Sequence, residues 1–249
     1  MDIDEEEIWI SSISDDNFII TELISNSSLY GVIFKVLIDS KVATMKVDFR
    51  YKLDIIANKE VNNEANILEY ITLYDPNLTT KFYDFQMLSN DGIQVLYEKM
   101  DMIRNWRGTK PDYETTLRDY NVYIIIMEYL DPSSWITLNS ITNEILEYYN
   151  SINKRKLKII YESVRKNINK LHSLKFVHCD LHSGNIMINT NNIRENKIID
   201  FGRSYNSGNN MWEREIGSNP YTSTKCNESV VRYINELCGD GGKIPCTDE

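Results

Sequence analysis

The sequence predicts an α+β fold in two lobes: an antiparallel-sheet N-terminal lobe and a mostly helical C-terminal lobe. Residues 18–49 read as consecutive strands, "FIITELI", "YGVIFKVLID" and "KVATMKVDF", with the alternation and β-branched content of half-buried sheet. Residues 155–173 form the clearest helical pattern, with Leu157, Ile160, Val164, Ile168 and Leu171 three or four apart and Lys, Arg and Asn between them. The change of pattern falls near residues 128–133, "EYLDPS". Such an order predicts two lobes joined by a short connection, with a cleft between them.

The remaining elements follow in chain order. Residues 54–72 read as a helix whose apolar face carries Ile56, Val61, Ala65, Leu68 and Ile71. "KFYDFQML" and "GIQVLYEKM" flank "SNDG", which predicts a hairpin. Residues 101–120 are polar and read as an inserted irregular loop, and "VYIIIMEYL" reads as a buried strand. A helix-length segment, 139–152, precedes the long helix. After it come the short strands "KFVH", "NIMIN" and "NKIID", the last two joined by the turn "NTNNIREN". One more helix fits residues 227–238, "NESVVRYINELC".

Composition narrows the function classes. The 249 residues are 42% hydrophobic and 26% charged, which is globular-protein usage and enough chain to bury a core. A net charge of −10 argues against nucleic acid as the partner. No apolar run approaches the ~20 residues of a membrane span. The acidic start, "MDIDEEEIWI", is unlike a secretory or transit signal, so an intracellular, cytoplasmic location is expected. Cys179, Cys226, Cys238 and Cys246 contain no CxxC pair and read as reduced thiols. Abundant Asn, Ile, Tyr and Lys with 10 Gly and 5 Pro indicate AT-rich coding.

The chemistry concentrates in "VHCDLHSGNIMI", residues 177–188, and "IIDFGRS", residues 198–204. His178, Asp180 and Asn185 match the pattern H-x-D-x-x-x-x-N, and Asp200, Phe201 and Gly202 match D-F-G, 20 residues separating the two aspartates. In these motifs the chain resembles the protein-kinase fold over roughly residues 15–205. The resemblance implies one kinase-like domain, 1–249: an N-lobe at about 15–127 with an insertion near 101–120, a hinge at about 128–131, and a reduced C-lobe at about 132–249. It implies ATP and Mg²⁺ as cofactors. Asp180 would orient the acceptor hydroxyl and take its proton, Asn185 and Asp200 would be the metal ligands, and His178 would support the loop against Phe201. Upstream, "VATMKV" places Lys46 as the phosphate-binding lysine, with Glu64 of "EANIL" as its helix partner and Glu60 as the rival. "IIIMEYLDP" would be the hinge, Met127 bordering the adenine pocket and the backbone of Glu128 and Leu130 bonding the base.

Several positions depart from the family pattern. Of the glycine-rich loop only Gly31 survives in "SNSSLYGVIF", with Asn26 and Ser28 near the earlier glycine places and Tyr30 at the tip. His182 stands where protein serine/threonine kinases usually carry lysine. "D-L-H-x-G-N" also resembles aminoglycoside and choline phosphotransferases, so His182 is a candidate contact to phosphate or acceptor and equally a hydrogen-bonded loop histidine. Cys179 replaces the arginine that pairs with a phosphorylated activation loop. Residues 203–249 include no A-P-E motif and fit fewer helices than the family's C-lobe, a compact form that resembles kinases of large DNA viruses. The leading expectation is a kinase acting on protein Ser/Thr. A small-molecule phosphotransferase, acting on a hydroxyl-bearing compound, and a pseudokinase binding module stay open as alternatives, as does oligomeric state.

Overall fold

Three N-terminal strands assemble with two later ones into an antiparallel sheet, the second and much of the third alternating a buried face with a wetter one. The computed structural model describes residues 18–26, 31–147 and 151–206. Strands β1 (Phe18–Ser25), β2 (Gly31–Ile38), β3 (Lys41–Tyr51), β4 (Phe82–Met87) and β5 (Tyr120–Glu128) form a five-stranded sheet in the order β1-β2-β3-β5-β4. In β2 and β3 the residues Val32, Phe34, Val36, Ala43, Met45 and Val47 are fully buried. β5, "YNVYIIIME", is buried along Val122–Ile126, as expected of a central strand covered on both faces. By compactness the chain divides into two units, residues 1–65 with 81–129, and residues 66–80 with 130–249. The division runs through helix α1 (Ile55–Tyr74).

In the first unit α1 starts on hydrogen bonds rather than on propensity. Asp54 accepts from the Ala57 amide at 2.9 Å, which satisfies one of the unpaired donors of the first turn. Asn58 donates to the Tyr51 carbonyl at 2.8 Å and accepts from Asn121 and the Tyr123 hydroxyl, which fixes the helix start against β5.

The expected hairpin around "SNDG" is instead the start of a helix, α2 (Asn90–Met100). Ser89 is its N-cap, its side chain accepting from the Gly92 amide at 3.2 Å. Ile93, Leu96, Tyr97 and Met100 are spaced three or four apart and all buried. The turn-like composition of "SNDG" served capping, and the helical period behind it decided the outcome. Residues 101–120 are likewise more ordered than expected: they contain α3 (Tyr113–Asp119), capped by Asp112, and bury Trp106 and Lys110. Trp106 bonds Asp101 through its indole nitrogen at 3.0 Å and meets Tyr97 edge-on at 5.5 Å. Burial pushes the Tyr97 hydroxyl up to about 12.

In the second unit, β6 (Trp135–Thr137) leads into α4 (Leu138–Glu147), and α5 (Ser151–Ser173) begins four residues before the expected start. Leu157, Ile160, Val164, Ile168 and Leu171 are the buried stripe read from the sequence. β7 (Phe176–Val177), β8 (Ile186–Asn189) and β9 (Asn196–Ile198) follow as expected. β6, β8 and β9 form one small sheet, and β7 pairs with β10 (Tyr205–Asn206). The segment after α1 docks on β9: Thr79 donates its hydroxyl to the Ile198 carbonyl at 2.8 Å, and Lys197 donates to the Thr79 carbonyl at 2.9 Å. Asp75 and Lys170 pair at 2.6 Å. The helix expected at 227–238, and Cys226, Cys238 and Cys246, lie outside the described residues. Among the described residues no helix is long and apolar enough to cross a membrane.

Two stability outcomes follow. Ser89→Ala should lower the stability of the first unit by about 1 kcal/mol, the usual cost of losing an N-cap, read as a lower denaturant midpoint. Burial also pushes the imidazole of His172 on α5 below its ordinary value, so the fold favours its neutral form. The stabilisation from that preference is fully present above the unfolded value near 6.5 and is lost as pH falls through the folded value. Melting temperature should therefore drop as pH falls from about 7 to 5, and His172→Gln should flatten that drop; an unaltered slope would contradict it.

Candidate active site

Residues 176–206 of the second unit fold back on themselves around one imidazole. β7 delivers His178 into the interior, where it is fully buried. Its Nε2 lies 2.9 Å from the Ile199 carbonyl, and its Nδ1 lies 3.3 Å from the Asp180 amide nitrogen. A carbonyl can only accept and an amide N–H can only donate. Nε2 therefore carries the proton, Nδ1 accepts, and the ring is neutral. Burial pushes its pKa down in the same direction, against the bond to Ile199, which raises it. Phe201 packs on the ring with centroids 4.9 Å apart. A single side chain thus ties the loop after β7 to the segment after β9.

The loop carries two further internal ties. Asn185 closes a short 3₁₀ turn, Ser183–Asn185, that leads into β8. Its side-chain nitrogen donates to the Asp180 carbonyl at 2.9 Å, and the Ile199 amide donates to the Asn185 carbonyl at 3.0 Å. The Asp180 carbonyl needs a donor, so the amide orientation of Asn185 is fixed and Oδ1 is the atom left to face a cation. His182 caps the turn, Nδ1 accepting from the Gly184 amide at 3.0 Å. A Cβ at Gly184 would come within 2.9 Å of the His182 ring, so a side chain there would push the imidazole off its cap. His182 is exposed, and Nδ1 is the ring nitrogen this contact engages.

Cys179 and Asp200 both hold left-handed backbone, φ 59° and 65°. For residues with a Cβ such geometry costs on the order of 1–3 kcal/mol and persists only where the surroundings impose it. Here the His178 bonds and the buried Cys179 side chain, packed with Val177 and Tyr205, impose it. Asp200 is exposed, while Asn185 is buried. A carboxylate and an amide oxygen are hard donors of the kind Mg²⁺ takes, and such a site keeps several ligand positions for water and phosphate. The donor set therefore fits the cation. Arg203 follows the Asp200–Gly202 segment, and its Nη1 is 3.8 Å from Asp180 Oδ1.

The other expected site residues lie in the first unit, apart from Leu130. Lys46 on β3 contacts both carboxylate oxygens of Glu64 on α1 at 2.7 Å. The rival Glu60 lies 3.7 Å from Arg50, which also bonds Asp48. Glu64 is nearly fully buried and Lys46 largely so. Met127 and Glu128 end β5, and the Glu128 N–H donates to the Lys81 carbonyl at 2.8 Å, so any bond from Glu128 to a base would fall to its carbonyl. Leu130 begins the segment assigned to the second unit. Gly31 opens β2, buried opposite Asp48. Ser28 and Tyr30 lie outside the described residues. Asn26, near a glycine place of the family loop, donates to the Asn105 carbonyl at 2.8 Å. That link to the 101–112 segment was not read from the sequence, since nothing local to Asn26 signals a partner 79 positions away. Arg203 had a local signal, its place directly after D-F-G.

Comparison with known proteins places the same motifs in a family context. A protein kinase domain profile matches residues 110–228, just under half of the chain, and this range holds Asp180, Asn185 and Asp200. MAP kinase kinase MKK1/SSP32 of Saccharomyces cerevisiae is 31% identical over 136 residues, covering 50% of this chain and 25% of that protein. Mitogen-activated protein kinase kinase 9 of Arabidopsis thaliana is 32% identical over 125 residues, 50% of this chain and 35% of that protein. The chain thus aligns with a quarter to about a third of the length of these relatives. An α+β chain with an antiparallel sheet, an H-x-D-x-x-x-x-N loop bound to D-F-G through one buried imidazole, and these similarities has a protein-kinase-like fold.

Proposed function

We propose that the chain is an ATP-dependent phosphotransferase that moves the γ-phosphoryl group of Mg-ATP to Ser or Thr hydroxyls of proteins. The observation that carries this reading is the bonding of Asp180, Asn185 and the Asp200 segment into one loop, by His178 to Asp180 and Ile199 and by Asn185 to the same two residues. Phosphoryl transfer asks a protein for positioning and charge compensation. In this reading Asp180 orients the acceptor hydroxyl and receives its proton. Asn185 Oδ1 and the Asp200 carboxylate would hold Mg²⁺, which neutralises phosphate charge. Lys46, held by Glu64, binds the nucleotide phosphates, and the ion pair keeps its ammonium from collapsing onto another carboxylate. The protein acceptor draws support from the two kinase-kinase relatives.

Melting shifts combined with transfer of label from γ-labelled ATP test the roles. A ligand at a hundredfold excess over its Kd stabilises by about 2.7 kcal/mol, so Mg-ATP should raise the melting temperature by a few degrees. Asp200→Asn should lose most of that shift. Asp180→Asn should keep it and lose about 10²–10⁴-fold in transfer, the worth of a positioned base. Lys46→Met should cut transfer by orders of magnitude with the fold retained. A wild type with neither shift nor transfer, to protein extract or to a panel of hydroxyl-bearing small molecules, would point to a binding module; transfer to the small molecules alone would point to that acceptor class.

A further inference from the structure

Arg203 is an exposed side chain in a place where the backbone is rigid. The Ser204 amide donates to the Phe201 carbonyl at 2.9 Å, and the Ser204 hydroxyl donates to the His178 carbonyl at 3.0 Å. Phe201 and Ser204 are both buried. Arg203 therefore rides a tight turn whose two ends are fixed to the same imidazole-centred loop that carries Asp180. Its side chain is 64% exposed and its contact with Asp180 is 3.8 Å long, so it contributes little to holding the fold.

The electrostatics of the loop give this cation a use. Asp180 and Asp200 bring two carboxylates to the loop, and a nucleotide triphosphate would add more negative charge. The loop's other nearby candidate cation, His182, has Nδ1 committed to the Gly184 amide. Among the described residues Arg203 is the basic side chain paired with Asp180. We propose that Arg203 adds a further positive charge at the transfer site beside Asp180, holding the Asp180 carboxylate in the resting protein and meeting the γ-phosphoryl oxygens during transfer. A planar fork of N–H donors is suited to both a carboxylate and a phosphoryl group. In the step, the acceptor oxygen bonds to Pγ as the bond from Pγ to the bridging oxygen of ADP breaks. ADP keeps the bonding pair, the acceptor proton passes to Asp180, and Arg203 stays protonated throughout. This proposal rests on the phosphotransferase reading.

Three forms of the full chain test it: wild type, Arg203→Ala and Arg203→Lys, with γ-labelled ATP, Mg²⁺ and protein extract as acceptor. Arg203→Ala should lower kcat by about 10²–10³-fold, the scale of losing one charge-stabilising donor, while its KM for ATP and its melting temperature change little. Arg203→Lys should recover part of kcat, and added guanidinium ion at millimolar concentration should raise the rate of Arg203→Ala but not of wild type. Chemical rescue distinguishes charge supply from a structural role, because a misfolded loop gains nothing from a free cation. An Arg203→Ala protein with wild-type kcat would overturn the proposal and leave the phosphotransferase reading standing. A loss that neither lysine nor guanidinium restores would overturn it in favour of a structural role. A wild type without transfer would overturn both.

Discussion

Two hydrogen bonds to the ring of His178 hold the candidate site together. Remove the imidazole and the half-buried Asp180 amide and Ile199 carbonyl both lose this partner, at a cost for each below the about 1–3 kcal/mol of a fully buried group. The loss would not stay local. The left-handed geometry at Cys179 sets the direction in which Asp180 leaves β7, and Asp200 turns out of the strand end by the same device. Strain of this kind is kept only where neighbours over-determine it. A neutral imidazole suits the position because it is the one side chain that donates from one end and accepts at the other across a rigid ring. A charged one would present two donors, and the Asp180 amide could not pair with it.

The first unit solves a different problem. Lys46 sits in a strand whose neighbours are apolar, and a buried ammonium without a counter-charge is expensive. Glu64, reaching from α1 with both oxygens at 2.7 Å, supplies the counter-charge. Such a pair adds little net stability after desolvation, so its value lies in keeping the ammonium charged and aimed. The sheet supplies the rigidity: Lys46 lies in register with Ile33 on one side and Ile125 on the other. Arg50, Asp48 and Glu60 form a second charged group on the same strand and helix, which explains why Glu60 is engaged away from Lys46.

Much of this was legible in the sequence where pattern and chemistry agree. The stripe of α5, the run of β5, the α+β class and the two aspartate motifs could be read because each has a period or a spacing. The choice of Glu64 over Glu60 rested on resemblance and needed coordinates, since both lie on α1 one turn apart. α2 was misread because serine, asparagine, aspartate and glycine serve turns and N-caps alike, and only the buried positions Ile93, Leu96, Tyr97 and Met100 separate the two. The burial of Trp106 and Lys110 in an apparently irregular insertion was invisible for want of any local period. The tie between Asn26 and Asn105 joins distant segments and leaves no local trace.

The central claim is that a neutral, Nε2-protonated His178 organises the loop that carries Asp180, Asn185 and Asp200. Long-range ¹H–¹⁵N correlation spectra of the histidine side chains, with His178 assigned through His178→Asn, test it most directly. The account predicts a ring nitrogen pattern of protonated Nε2 and bare Nδ1 that stays unchanged as pH is lowered from about 8 to 6, below the ordinary histidine value. A His178 that takes up a second proton near the ordinary value, or that carries its proton on Nδ1, would contradict it.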